Sequence, residues 1–228
     1  MIAKFSWMKG LTLVDVLVAF VEIVSEHFAY KPLIFALKPL IPLVLAVLYY
    51  TVSTQKNWVI IAAFVLSMVT NLLFIPANPI YLFYAVIVFT IHRIVVLYAM
   101  FSLQKITDYI PLALATAPFL LVFFYMFMET TEIPDSIYGL LILQNILISL
   151  LAGISLSSYV MLDNKQNSIL LISALLFVML QFSIFIEKYY LTNEFQGLFR
   201  PLAMTLNALA FYSFYSYVVV AEKATPQL

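Results

Sequence analysis

The sequence predicts an all-α polytopic membrane protein, a bundle of eight transmembrane helices forming one domain. Three observations carry that reading. Hydrophobic residues fill 65% of the 228 positions and charged residues 10%, with a mean hydropathy of +1.07; soluble domains run near half apolar and a quarter charged. Apolar stretches of about 20 residues, long enough to cross a hydrocarbon core, recur down the whole chain. The connections between them are short, among them STQKN, IPANP, QKITDY, ETTEIPDS, LDNKQN and LTNEFQG, so no extramembrane domain can be built from them.

Composition also limits the chemistry. Eleven basic and eleven acidic residues cancel, with no basic run, so nucleic acid is not an expected partner. The lack of cysteine excludes disulfides, thiol catalysis, iron–sulfur clusters and thiolate zinc sites. Two histidines, His27 and His92, cannot build a three-histidine zinc site, and a site of two histidines and a carboxylate would need His27, near a helix end. No metal and no cofactor are expected. Four glycines and ten prolines speak against low-complexity sequence and against a glycine-rich phosphate loop.

The spans fall at about 11–27, 33–53, 58–75, 79–102, 110–128, 134–160, 168–190 and 199–221. The first follows MIAKFSWMKG, which has the outline of a signal peptide. No A-x-A-like site follows it and Asp15 and Glu22 interrupt the apolar run, so a retained helix is expected. Asp15, Glu22 and Glu26 are spaced by seven and four residues, which places all three on one helical face. A carboxylate facing lipid is costly, so this stripe is expected to face the bundle or a wet cavity.

The second span opens irregularly at Pro32, Pro39 and Pro42, with Lys38 at a depth comparable to Glu22 or Glu26. The third carries Asn71 near its end. The fourth reads TIHRIVV, and an arginine in mid-span needs an anion. An ion pair of Arg93 with Asp15, or failing it Glu22, is expected. His92 is its neighbour but points about 100° away on the helix. The fifth span has no charged group and is expected to pack. The sixth carries Tyr138-Gly139 near its start, with Gln144 and Asn145 further in. No internal repeat supports an inverted-repeat transporter.

With the amino terminus inside, Lys4, Lys9, Lys56, Lys105, Lys165 and Lys223 share one side. Lys31, Lys38, Lys188 and Arg200 take the other, with Glu129, Glu132 and Asp135. That bias favours a bacterial inner (plasma) membrane protein with both termini cytoplasmic. Tyr49, Tyr50, Tyr81, Tyr109, Tyr189 and Tyr190 fall near span ends, as interfacial anchors should.

The seventh span, SILLISALLFVMLQFSIFIEKYY, holds Gln181 in an otherwise apolar interior, and an amide there needs a partner on a neighbouring helix. Asn71 and Gln181 each lie thirteen residues into spans that run the same way, about 20 Å from one end at 1.5 Å per residue. The two amides are therefore expected to meet across the bundle. Within this span, SALLFVMLQFSIFIEKYY resembles the seventh helix of the lysoplasmalogenase-like (YhhN-type) integral membrane proteins, which reads G-A-L-L-F-x-x-S-D-S-x-L-A-x-x-K-F. Lys38-Pro39-Leu40 and His92 also match that family. Tyr212 to Ser216 is similar to its Tyr-x-x-Ala-Gln.

The resemblance implies an eight-helix fold and a membrane hydrolase acting on the vinyl-ether bond of lysoplasmalogens. It places the family's two aspartates at Asn71 and Gln181, with His92 as a third site position and Lys38, Tyr138 and Tyr212 toward the substrate. A pair of buried carboxyls suits that chemistry, one staying protonated to deliver a proton while the other activates water. Amides hydrogen-bond but exchange no useful proton. Three readings stand: a lysoplasmalogenase-like hydrolase, a non-catalytic homologue binding a membrane lipid or lysolipid in the same cavity, and a small transporter built on the acidic face of the first helix. A shared cavity holding Asn71, His92 and Gln181 is expected in the first two.

Overall fold

The computed structural model describes residues 2–76, 78–104, 106, 108–130, 133–189 and 195–224. Lys105, Glu132 and Tyr190 lie outside the described residues, as do the side chains of Lys4 and Tyr189. The described chain is helical throughout: α1 (Ile2–His27), α2 (Lys31–Leu37), α3 (Leu40–Val52), α4 (Trp58–Phe74), α5 (Pro79–Leu103), α6 (Tyr109–Met128), α7 (Asp135–Met161), α8 (Lys165–Tyr189) and α9 (Gln196–Ala224). The pieces α2 and α3 make one crossing, interrupted where Pro39 removes a backbone donor after Lys38. Eight helical segments result among the described residues. Six of them, counting α2 with α3, are long and apolar enough to span a bilayer by length and composition, and α4 is an apolar helix of 17 residues. The protein is an all-α integral membrane protein.

Local chemistry sets the helix ends. Asn57, Asn78 and Asp108 each accept a hydrogen bond from the backbone N–H two residues on, which caps α4, α5 and α6. The end of α1 closes with Ala29 at φ 51°, where the Tyr30 N–H reaches Ser25 O and the Ala29 N–H reaches Glu26 O. This is the turn that glycine usually makes. α1 begins nine residues before the apolar run predicts, because lysine stems and Trp7 are compatible with a helix leaving the membrane.

α9 is the hub of the bundle, packing on α1, α3, α5 and α8, while α6 lies outside, against α7. The centre is aromatic: Phe64, Phe177, Phe211 and Phe214 pack around one another at centroid distances of 5.1 to 6.5 Å. α6 approaches α7 at Gly153, where a Cβ would lie 1.9 Å from Thr116 Oγ1 and 3.0 Å from its Cα. Small residues let membrane helices approach in this way.

One end of the bundle carries the α3–α4 turn and the close of α9, and a carboxylate holds it together. Glu222 accepts from the Tyr49 hydroxyl on one oxygen and from Ser53 Oγ, at 2.6 Å, on the other. Tyr49 Oη accepts from Asn57 N and Ser53 Oγ from the Gln55 and Lys56 N–H groups. Tyr49 is thus fully buried and not the interfacial anchor its position predicts, because its hydroxyl has a buried acceptor to serve. Tyr50, Tyr81 and Tyr109 are exposed, as anchors should be. The opposite, far end gathers the α1–α2 turn, Lys38, Lys188 and the start of α9, where Gly197 O lies 3.1 Å from His27 Nδ1.

Two substitutions test this packing. Gly153→Ala should lower the melting temperature of the detergent-solubilised protein, since backbone must move to admit the methyl group, and Thr116→Gly should restore part of the loss. Glu222→Ala leaves two buried hydroxyls without their acceptor and should cost on the order of 2–4 kcal/mol. An unchanged melting temperature in either single variant would contradict the packing described.

Candidate functional site

At the far end, α4, α5, α7 and α8 leave a cleft of about 240 Å³ between them. Each helix contributes through its own periodicity: Leu82, Val86 and Phe89 from α5, Ile137, Leu141 and Gln144 from α7, and Gln181, Ile184, Phe185 and Lys188 from α8. Phe74 from the end of α4 and Pro134, just before α7, complete the wall. The walls are apolar. Polar groups enter at two levels, with Lys188 near the mouth and the amides Gln144 and Gln181 inward of it by about two helical turns. Gln144 Nε2 donates to Val86 O at 3.2 Å and to Thr90 Oγ1 at 3.1 Å. Both hydrogens are then used, and its carbonyl oxygen is what it can offer a ligand.

Gln181 therefore lies on a cleft, as a polar side chain in this span should. Asn71 does not join it there. Its amide donates to Lys38 O at 3.1 Å, supplying the donor that Pro42, four residues on and without an N–H, cannot give that carbonyl. α4 packs on α3 and α5, whereas α8 packs on α7 and α9. α8 also begins at Lys165, three residues before the predicted start, so Gln181 sits sixteen residues along its helix against thirteen for Asn71. The expected meeting of the two amides is corrected: Asn71 serves the Lys38 carbonyl and Gln181 the cleft.

His92 is enclosed elsewhere in the core. Its ring stacks on Phe89 at 5.9 Å and tilts against Phe211 at 5.4 Å, and neither nitrogen has a hydrogen-bond partner among the described residues. It does not line the cleft, so the single cavity expected for Asn71, His92 and Gln181 is corrected too. Tyr138 packs its ring on Phe127, Tyr212 on Tyr215, and both are partly exposed outside the cleft wall.

Lys38 has a different partner from a substrate. Its Nζ donates to Glu26 Oε1 at 2.6 Å, which makes Glu26 on α1 the anchor for the α2–α3 break. Glu22, one turn earlier on the same face, is completely buried against Glu26 and Lys38, and Asp15 Oδ1 is buried with no hydrogen-bond partner among the described residues. The acidic stripe thus faces inward, as its cost in lipid requires. It does not reach Arg93: no carboxylate among the described residues lies within ion-pair distance of the guanidinium. The expected pair fails for a topological reason, since α5 packs on α4, α7 and α9 and α1 packs on α2, α3 and α9. Arg93 instead lies over the rings of Phe89 and Phe177.

Gln144 and Lys188 stand outside the candidate set drawn from the sequence, although both line the cleft. The signal was present in each case. Gln144 is an amide in an apolar span, the property that singles out Gln181, and Lys188 follows Gln181 by seven residues on the same face. Among the described residues no group of three or more His, Asp or Glu side chains could hold a metal ion.

No curated protein and no solved structure matches the chain. The family model described as YhhN family matches residues 33–216, which runs from α2 to near the end of α9 and takes in Asn71, His92 and Gln181. The chain belongs to the YhhN family.

Proposed function

We propose that the protein binds a single-chain membrane lipid, a lysolipid, in the cleft between α5, α7 and α8, and that it does not cleave that lipid by a two-carboxylate mechanism. The observation that carries this reading is the cleft wall itself: apolar over most of its length, with two amides within it, a lysine near its mouth and no acidic side chain. A lysolipid differs from a diacyl lipid by a free hydroxyl, and the Gln144 carbonyl oxygen is an acceptor placed to take it. Gln181 can both donate and accept beside it. Proton delivery to a vinyl ether needs an acid, and the carboxyls of α1 and α9 are not among the residues of this wall.

Hydrolysis of a lysoplasmalogen is the second reading. It is favoured by family membership and by Gln181, which stands on the cleft where the resemblance places a family aspartate. In this proposal the chain is a single transmembrane domain, with the end that carries Glu222 and the α3–α4 turn in the cytoplasm, in keeping with the lysine bias. The cleft then opens toward the outer leaflet.

Purified wild-type protein should bind a 1-alkenyl lysophosphatidylethanolamine and release no fatty aldehyde above a heat-denatured control. Gln181→Leu should weaken binding about tenfold, the effect of losing one buried polar contact of about 1.4 kcal/mol. Sustained aldehyde release by the wild type, lost in Gln181→Leu, would replace the binding reading with the hydrolase.

A further inference from the structure

The helical stripes that line the cleft continue inward beyond it. On α5 the wall residues Leu82, Val86 and Phe89 follow spacings of four and three, and the next member of that stripe is Arg93. On α8, four residues inward of Gln181, the stripe reaches Phe177. These two stripes converge: Arg93 Cζ lies 4.7 Å from the Phe89 ring centroid and 5.0 Å from that of Phe177. Phe89 therefore lines the cleft and also contacts the guanidinium.

Arg93 is 1% exposed, and Nε, Nη1 and Nη2 have no hydrogen-bond partner among the described residues. Ring faces attract a guanidinium but accept none of its five N–H hydrogen bonds in the way an oxygen does. A buried charge in a membrane bundle is costly unless paired, and such residues mark ligand paths more often than they serve packing. The preferred partner of a guanidinium is a carboxylate or phosphate, held by two parallel N–H···O bonds. The charged residue on the cleft wall is Lys188, so mouth and inner end are both cationic with neutral amides between.

We propose that the inner end of the cleft is an anion-accepting site in which Phe89 turns aside and Arg93 takes the carboxylate or phosphate of a single-chain amphiphile. The chain of that amphiphile lies along the apolar wall, and Gln144 and Gln181 hold whatever uncharged oxygens it carries. Phe89 acts as the gate: closed, it shields the guanidinium by a cation–π contact; open, it yields to a stronger charge-assisted bond. The proposal rests on the lipid-binding reading of the cleft and adds the charge of its ligand and the residue that selects it.

The test is native mass spectrometry of the full chain in detergent, titrated with oleate, oleoyl lysophosphatidate and oleyl alcohol. The wild type should bind at least one of the two anions about tenfold or more tightly than the alcohol, and whichever anion is preferred names the headgroup. Arg93→Gln should abolish that preference while leaving alcohol affinity within about twofold. Its melting temperature should be unchanged or higher, since the charge removed has ring faces beside it but no hydrogen-bond partner to lose among the described residues. Phe89→Ala, which opens the gate without touching the charge, should raise anion affinity and serves if Arg93→Gln does not fold. Equal binding of all three ligands by the wild type would overturn the proposal and leave the cleft reading standing. A preference that survives Arg93→Gln but vanishes in Lys188→Gln would overturn it as well, by placing the anion at the mouth. Binding of none of the three would overturn the cleft reading itself.

Discussion

Hydrocarbon offers no water to a polar side chain, so each one carried into this bundle must be met by another part of the protein or by a ligand. The arrangement follows from how that demand is satisfied. Glu222 is met by two hydroxyls and thereby fixes the α3–α4 turn. Glu26 is met by Lys38, and the Lys38 carbonyl, left without a donor by Pro42, is met by Asn71. Arg200 is met by Glu187 at 3.3 Å. Each pairing ties two crossings together. Arg93, His92 and Asn145 are among the exceptions, buried in the core with side-chain polar atoms that have no hydrogen-bond partner among the described residues. The cleft at the far end is the place where an answer could come from outside the chain.

Most of the fold could be read from the sequence because membrane insertion depends on bulk properties. About 20 apolar residues bounded by turns need no partner to be recognised as a crossing. Pro32, Pro39 and Pro42 likewise announced an irregular start to the second crossing, and the break appears after Lys38. The site was less legible. Position along a helix can be counted from residue numbers, but azimuth and neighbour cannot, and those decided the misses at Asn71 and Arg93. Asn71 and Gln181 looked level, yet they belong to helices with different neighbours, and the Lys38 carbonyl takes the Asn71 amide. Arg93 looked bound for Asp15, yet α1 and α5 occupy separate parts of the bundle. The inward turn of the acidic stripe on α1 was legible, because burial of carboxylates away from lipid is a matter of cost and not of topology.

Amides at positions where the family resemblance expects carboxylates change what the site can do without changing its frame. Glutamine and aspartate both complete a polar contact within an apolar wall, so the bundle can close around either. Proton exchange near neutral pH belongs to the carboxyl alone. Asn71 has moreover a structural duty at the helix break, which a carboxylate could not perform, since it would set an acceptor against the Lys38 carbonyl. The chain thus keeps a largely apolar cleft of about 240 Å³ and uses one of the two positions as scaffold.

The central claim is that a lipid occupies the α5–α7–α8 cleft and not the neighbourhood of Asn71. Photo-crosslinking measures this directly. A lysophosphatidylethanolamine with a diazirine near its glycerol, irradiated with the protein in nanodiscs and mapped by peptide mass spectrometry, should leave adducts within 82–89, 137–144 and 181–188. Unlabelled lysolipid in excess should suppress them. Suppressible adducts confined to α1, α3 and α4 around Glu22, Lys38 and Asn71, with the α8 segment unlabelled, would contradict the account.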